Sequence, residues 1–196
     1  GIKDMRRVPD VLVVVDAKFE TTAVKEGEEY VINGRKMFIS NGDNGNAFAL
    51  MAKTNPESDP KHRGISCFIF EKPTEGFKVG QHLDKLGYRG LDTCELIFDD
   101  CRVPVENLIG GQEGKGFGQV MNGLETGRIN VAARAVGVAQ AALDAALSYS
   151  KKRSAFGKTI SEHQAIQLKL AEMATKVHAA RLMVYDAAQK LDSGER

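Results

Sequence analysis

Lys151-Lys152-Arg153-Ser154-Ala155-Phe156-Gly157-Lys158-Thr159-Ile160-Ser161-Glu162-His163-Gln164 joins two long amphipathic helical patterns and places cations, a glycine break and a helix start within a few residues. Before it, Val131, Ala135, Val138, Ala142, Ala145 and Tyr149 recur at steps of three and four, the period of a buried helix face. The alanines in that stripe predict close approach of a second helix. After the joint, Ile166, Leu170, Met173, Val177, Ala180, Val184 and Leu191 repeat the pattern. Ser161 with Gln164 reads as a capping box, and Gly194 as a helix stop. Two helices of roughly 30 residues predict an antiparallel hairpin about 45 Å long. Two helices alone cannot bury both of their faces. Other chains or further residues are therefore expected to complete the four-helix bundle of which this is a part.

Upstream of the helices the period changes. Tyr30 to Ile32 and Lys36 to Ile39 flank Asn33-Gly34, which predicts a hairpin with a type I′ turn. Phe48 to Ala52, Ile65 to Phe70 and Cys94 to Phe98 are further strand-like runs. Turn clusters separate them at 41–45, 54–64 and 87–92. Short strands without intervening helices predict an antiparallel sandwich or barrel. The fold expected is thus α+β: a β domain over 1–112, with an atypical start at 1–16, and a partial helical domain over 113–196.

The 196 residues are 42% hydrophobic and 27% charged, as in ordinary soluble domains. A net charge of +1 gives no reason to expect nucleic acid as a partner. No apolar run approaches the roughly 20 residues of a membrane span. Cys67, Cys94 and Cys101 form no CxxC pair, which fits a reducing compartment, and the four histidines lack metal-ligand spacing. No metal is expected.

The joint admits two readings. Lys151, Lys152 and Arg153 end a helix, where cations complement the negative end of the macrodipole. Arg153 could equally fork onto a pyrophosphate, with Phe156 against an adenine and His163 and Gln164 at a helix N-terminus that attracts anions. Gly110 to Gly118 matches neither GxxxxGK[ST] nor GxGxxG and reads as a sheet-to-helix connection. Phe38 and Ser40, two residues apart on a strand, offer a ring and a hydroxyl on one face, able to flank a flat heterocycle. Glu125 and Arg128, at i and i+3, form either a surface ion pair or a contact to a polar substrate.

Taken together, several motifs resemble the acyl-CoA dehydrogenase family. They are Tyr30-Val31-Ile32-Asn33-Gly34-Arg35-Lys36-Met37-Phe38-Ile39-Ser40-Asn41-Gly42, Asp84-Lys85-Leu86-Gly87-Tyr88-Arg89-Gly90, and Val103-Pro104-Val105-Glu106-Asn107. Gly114 to Phe117, Gly127 to Ala133, Arg153 to Lys158 and Glu162-His163-Gln164 complete the set. The resemblance runs from about residue 16 to the end. It implies an FAD-dependent α,β-dehydrogenation of an acyl-CoA thioester in fatty acid metabolism, with electrons passed to an electron-transferring flavoprotein. Phe38, Ile39 and Ser40 would line the flavin, and Arg153, Ser154, Ala155, Phe156, His163 and Gln164 would contact the FAD of a partner subunit. Glu125, Thr126, Gly127 and Arg128 would line the acyl-CoA channel. A homotetramer built as a dimer of dimers is implied, in the cytoplasm or the mitochondrial matrix.

Three departures qualify that expectation. The family's N-terminal helical domain is absent, and so is the Thr-Glu-Pro-x-x-Gly-Ser-Asp loop expected before Phe19-Glu20-Thr21-Thr22-Ala23. Gly1 to Asp16 is more similar to a segment of a bacterial small-ribosomal-subunit protein. The catalytic base is also missing. A branch-specific position for it falls on Gly127, which cannot serve, and Glu125 lies roughly on the other side of the helix. The alternatives are a non-catalytic truncated or fused assembly module, or a related flavoenzyme such as an acyl-CoA oxidase or desulfinase.

Overall fold

Seven strands form one sheet in a computed structural model that describes residues 11–14 and 21–194. The readings of residues 1–16 and of Phe19 and Glu20 therefore lie outside the described residues, apart from the strand at 11–14. The chain divides into two compact units, Gly1–Asn122 and Gly123–Arg196.

The strands are β1 (Val11–Val14), β2 (Thr22–Glu26), β3 (Glu29–Ser40), β4 (Ala47–Lys53), β5 (Ile65–Glu71), β6 (Phe77–His82) and β7 (Thr93–Pro104). Their order is β1-β4-β2-β3-β7-β6, with β5 also on β4. Pairing is antiparallel except at β1–β4 and at one β2–β4 contact, Thr22 opposite Lys53. Two successive reversals, β2 to β3 and β3 to β4, leave β4 running in the direction of β2. Although β5 and β7 are far apart in that order, the Phe70 and Phe98 rings meet at 5.1 Å. The sheet therefore curls over its own core.

Tyr30, Ile32, Phe48, Leu50, Phe68, Phe70, Leu96 and Phe98 fill that core. Their two-residue period along each strand sends every second side chain inward. Each fully buried aromatic or branched side chain contributes roughly 1.5–3 kcal/mol. Tyr30 packs edge-on against Phe68 at 4.8 Å and donates its hydroxyl to Glu113 Oε1 at 2.6 Å. Burial, reinforced by that carboxylate, pushes the Tyr30 phenol up to about 12.

Asn33-Gly34 does not turn the chain. β3 runs straight through it, and the tight turn lies instead at Gly27 and Glu28, with Gly27 at φ 65°. Asn33 and Gly34 sit at a bulge in the β3–β7 ladder, where Ile32 opposes Cys101 but Gly34 opposes Phe98. The extra residue is on β7, and Asp100 adopts φ 51° there. Asn33 locks it reciprocally: its Nδ2 donates to Asp100 Oδ1 and its Oδ1 accepts the Asp100 amide, each at 2.8 Å. A second bulge lies between Lys36 opposite Leu96 and Ile39 opposite Cys94, with the extra residue now on β3. The two irregularities compensate, so Glu29 opposite Pro104 and Ser40 opposite Thr93 belong to one ladder.

The second unit holds most of α1 (Gly116–Lys152), a short hairpin of β8 (Ser154–Ala155) and β9 (Lys158–Thr159), and α2 (Gln164–Asp192). Arg181 on α2 donates to Gln140 Oε1 on α1 at 2.7 Å, so the helices run back alongside each other. The α2 stripe faces inward as read, with Val177 buried at its centre. The α1 stripe does not. Val131, Ala135, Val138, Ala142, Ala145 and Tyr149 are all exposed, and Val136, Leu143 and Ser150 are buried instead. The buried face lies one residue later, a rotation of about 100°. Because α1 is apolar over both faces, periodicity alone could not choose between them.

Among the described residues α1 is also the one helix long and apolar enough to cross a membrane, by length and composition. The sequence reading expected no such run. Arg134, Gln140 and Asp144 interrupt it, and its many alanines supply apolar character without bulk.

Candidate functional site

Phe38 stands at the second bulge with φ 62°, a conformation strained for any bulky residue. Its ring is 70% exposed. Ile39, next to it, is 4% exposed and belongs to the core, with its carbonyl facing the buried Cys94 thiol. Ser40 is half-buried at the end of β3. The bulge thus interrupts simple alternation, because one extra residue separates Lys36 from Ile39 against β7. Asn41 follows at φ 59°. Two non-glycine residues in the left-handed region cost of order 1–3 kcal/mol each, and such strain persists only where surrounding structure over-determines it.

The bracing is visible. Asp92 accepts the Asn41 amide on its carbonyl at 2.9 Å, the Asp43 amide on Oδ2 at 2.9 Å and Asn44 Nδ2 on Oδ1 at 2.9 Å. Lys72 Nζ donates to the carbonyls of Gly42 and Asp43, both at 2.8 Å, and lies over the rings of Phe48 and Phe77 at 5.3 Å. Gly42 leaves no room for a side chain, since a Cβ there would meet Cys94 Sγ at 2.6 Å. Burial, with Asp92 and Asp43 nearby, pushes the Cys94 thiol up to about 11. Sequence reading took Asp92 only as the end of a turn cluster and gave Lys72 no role. A carboxylate closing a glycine-rich turn was the one available signal.

The helix joint is itself a small hairpin. Ser154 pairs with Thr159 and Ala155 with Lys158, and the two turn residues, Phe156 and Gly157, have φ 53° and 80°. Positive φ at both positions is the type I′ condition that sequence reading assigned to Asn33-Gly34. At the tip the Phe156 ring is 96% exposed. Arg153, Ser154 and Gln164 are exposed, while Ala155 and His163 are half-buried. The His163 ring meets Phe156 edge-on at 6.2 Å and bonds the Ala155 carbonyl at 3.1 Å. The capping box lies two residues earlier than read. Thr159 and Glu162 form it on a 3-10 turn, and His163, without a side-chain cap, precedes α2. Ser161 instead bonds Thr159 Oγ1 at 2.9 Å.

Glu125, Thr126 and Arg128 are exposed near the start of α1, with Gly127 half-buried. Among the described residues Glu125 and Arg128 make no ion pair with each other. The glycine-rich segment before α1 docks on the sheet: Gly114 donates its amide to Ser66 Oγ at 2.9 Å and Glu113 receives Tyr30. The site residues thus lie in three places, the Phe38–Ser40 strand end, the 125–128 turn of α1 and the 153–164 joint. In the first and last, an exposed aromatic ring is held at positive φ.

Residues 15–101 match the family model described as the acyl-CoA dehydrogenase middle domain, and 114–196 the acyl-CoA dehydrogenase C-terminal domain. The mitochondrial isobutyryl-CoA dehydrogenase of Dictyostelium discoideum is 47% identical over 88% of this chain and 41% of its own length. An acyl-CoA dehydrogenase of Bacillus subtilis is 48% identical over 89% of this chain and 45% of its own length. The chain thus spans less than half the length of these relatives. The crystal structure of an acyl-CoA dehydrogenase from Geobacillus kaustophilus superposes with a TM-score of 0.87 at 42% identity, covering 92% of this chain and 47% of that one. A chain from a structure of the electron transferring flavoprotein of Acidaminococcus fermentans gives a TM-score of 0.85 at 47% identity, covering 90% and 46%. The match begins where the atypical start ends, and it carries the same order of β sheet and paired helices. This chain belongs to the acyl-CoA dehydrogenase family.

Proposed function

We propose that this chain forms part of an FAD-dependent oxidoreductase that introduces an α,β double bond into an acyl-CoA thioester. The observation that carries the reading is that Phe38 and Phe156 hold exposed rings at positive φ, as Tyr88 also does at φ 60°. A ring held out of the core at a conformational cost fits contact with a flat ligand, because burying it against a heterocycle recovers apolar area otherwise left wet. The donor chemistry also fits. Ser40 supplies a hydroxyl two residues along from Phe38, and Arg153 a forked cation three residues before Phe156.

The chemistry a bound flavin would supply is acceptance of a hydride from the acyl β-carbon. The chain's own residues bind and orient. Phe38 presents its ring to the heterocycle and Ser40 its hydroxyl to the polar edge. Ile39, buried between them, anchors the segment in the core. Arg153 balances the charge of a pyrophosphate, Phe156 lies against the adenine, and Ser154, Ala155, His163 and Gln164 frame that end, on the FAD of a partner subunit. Glu125 to Arg128 line the acyl-CoA channel. No residue here is assigned as the base that takes the α-proton. Likeness to a chain from an electron transferring flavoprotein structure supports electron delivery to such a flavoprotein. Three unpaired cysteines support a reducing compartment, cytoplasm or mitochondrial matrix.

Flavin retention tests the reading. The purified full-length parent protein is expected to be yellow. Arg153→Ala should release flavin at least tenfold more readily, about the loss of one charge-assisted bond, whereas Lys152→Ala should not. A colourless parent protein, or equal retention in both variants, overturns the assignment.

A further inference from the structure

Asp92 connects two features that the flavin reading leaves separate, the strained strand end and the turn that follows it. The β3–β7 ladder has two bulges, each with a non-glycine residue at positive φ, Asp100 on β7 at the first and Phe38 on β3 at the second. At the first bulge the strained residue is its own brace, because Asp100 bonds Asn33 directly. Short polar residues tolerate this conformation through such local bonds. Phe38 has no polar side-chain atom with which to do so. Its restraint must come from the chain on either side.

On the far side Asp92 makes the most bonds to that turn, with Lys72 beside it. Asp92 uses its carbonyl and both carboxylate oxygens on three groups of the 41–44 turn, at Asn41, Asp43 and Asn44. Thr93 and Cys94 then carry the ladder back to Ser40 and Ile39. Cys94 Sγ also approaches the Ile39 carbonyl at 3.8 Å. A rotation at Asn41 that relaxed its left-handed φ would break the Asp92 bonds first. Lys72 holds the same turn from its carbonyl side.

We propose that Asp92 is a positioning residue, whose carboxylate fixes the Phe38–Ser40 segment in the geometry that meets the flavin. This rests on the flavin reading above. The ionised carboxylate suits the task because it accepts on both oxygens, and the two groups facing it are both donors. Asparagine would turn a donor toward one of them whichever way its amide is set.

The test compares Asp92→Ala and Asp92→Asn with Asp100→Ala, which loosens the other bulge of the same ladder. Flavin-loaded protein is examined by visible circular dichroism, flavin reduction potential and flavin release. Asp92→Ala should alter the flavin band and potential and speed release roughly tenfold, the effect of about one lost bond. Asp92→Asn should do so by a smaller factor, and serves alone where the alanine variant does not fold. Asp100→Ala should lower thermal stability with the flavin signals unchanged. Unchanged signals in both Asp92 variants, or equal changes in Asp100→Ala, overturn the proposal. Unsubstituted protein that binds no flavin defeats the underlying reading instead. Amide hydrogen exchange at Asn41 to Asn44 then decides the clamp, and protection unaffected by Asp92→Ala overturns it.

Discussion

The two units treat apolar side chains in opposite ways. In the sheet, Phe48, Phe70, Phe77 and Phe98 meet ring to ring at 5.1–6.3 Å, and the curled sheet closes over them. In the helical pair, Val131, Val138 and Tyr149 on α1 and Leu182, Met183 and Tyr185 on α2 face outward. The contrast follows from geometry. A sheet of seven strands can bend until its inner face covers itself, whereas a straight helix can turn only one stripe toward a single neighbour. Long helices therefore carry apolar surface that two of them cannot hide, and the sequence of α1 records two such stripes side by side.

The contrast breaks most clearly under core truncation. Phe70→Ala in the fully buried centre of the sheet should cost about 3–5 kcal/mol, since its ring volume cannot be refilled. Val138→Ala, at a side chain 67% exposed, should stay within about 0.5 kcal/mol. Urea denaturation of both variants checks the pair. A large loss at Val138 would show that the outward stripe is packed, and the contrast between the units would collapse.

A smaller effect sharpens the picture of the sheet. Tyr30→Phe removes one partly buried hydrogen bond to Glu113 and should cost about 1 kcal/mol at neutral pH. It should matter more for alkaline behaviour. Tyr30 near 12 and Cys94 near 11 both lie above their usual values, so the protonated forms are favoured on folding. Their contribution is complete below the unfolded values, roughly 8.5 for the thiol and 10 for the phenol, and is lost as pH rises through 11 and 12. Melting temperature should thus decline above about pH 9. Tyr30→Phe should flatten the upper part of that decline. An identical alkaline curve would mean the phenol ionises freely and that Glu113 does not hold it.

The division into a strand-rich part and a helical pair was legible because the hydrophobic period changes from two to between three and four, and packing preserves that distinction. The finer failures share a cause. Asn33-Gly34 has the composition of a type I′ turn, yet a neighbouring strand takes it up as a bulge locked by Asp100, a partner 67 residues away. Phe156-Gly157 lacks the usual first residue of that turn and adopts its geometry in a joint bonded by Ile160 to Arg153 and by His163 to Ala155. The α1 stripe was misplaced by one residue, since alanine gives both faces similar apolarity. At the candidate site, the residue types of Phe38, Ser40 and Arg153 were readable. The strain at Phe38 and the clamp by Asp92 were not, because both depend on contacts made across the sheet.

The smallest effect concerns the joint, where the helical unit is most tightly bonded. Glu162 Oε1 accepts from the Thr159 amide at 3.1 Å and from Thr159 Oγ1 at 2.9 Å. Those bonds, with Lys158 and His163 nearby, hold its carboxyl below the usual carboxylate range. A lowered folded value means the unfolded chain binds the proton more readily. The stabilisation is therefore present above the ordinary value of about 4.3 and is lost as pH falls through the folded one. Glu162→Gln should remove that acid dependence while changing neutral-pH stability little, because the group is exposed and the amide oxygen still accepts one bond. Circular dichroism melts between pH 3 and 7 would resolve it. If the variant and the parent lose helicity along the same acid curve, the bonded joint does not set the pH response of the helical pair, and the contrast between a self-sufficient sheet and a joint-dependent hairpin weakens.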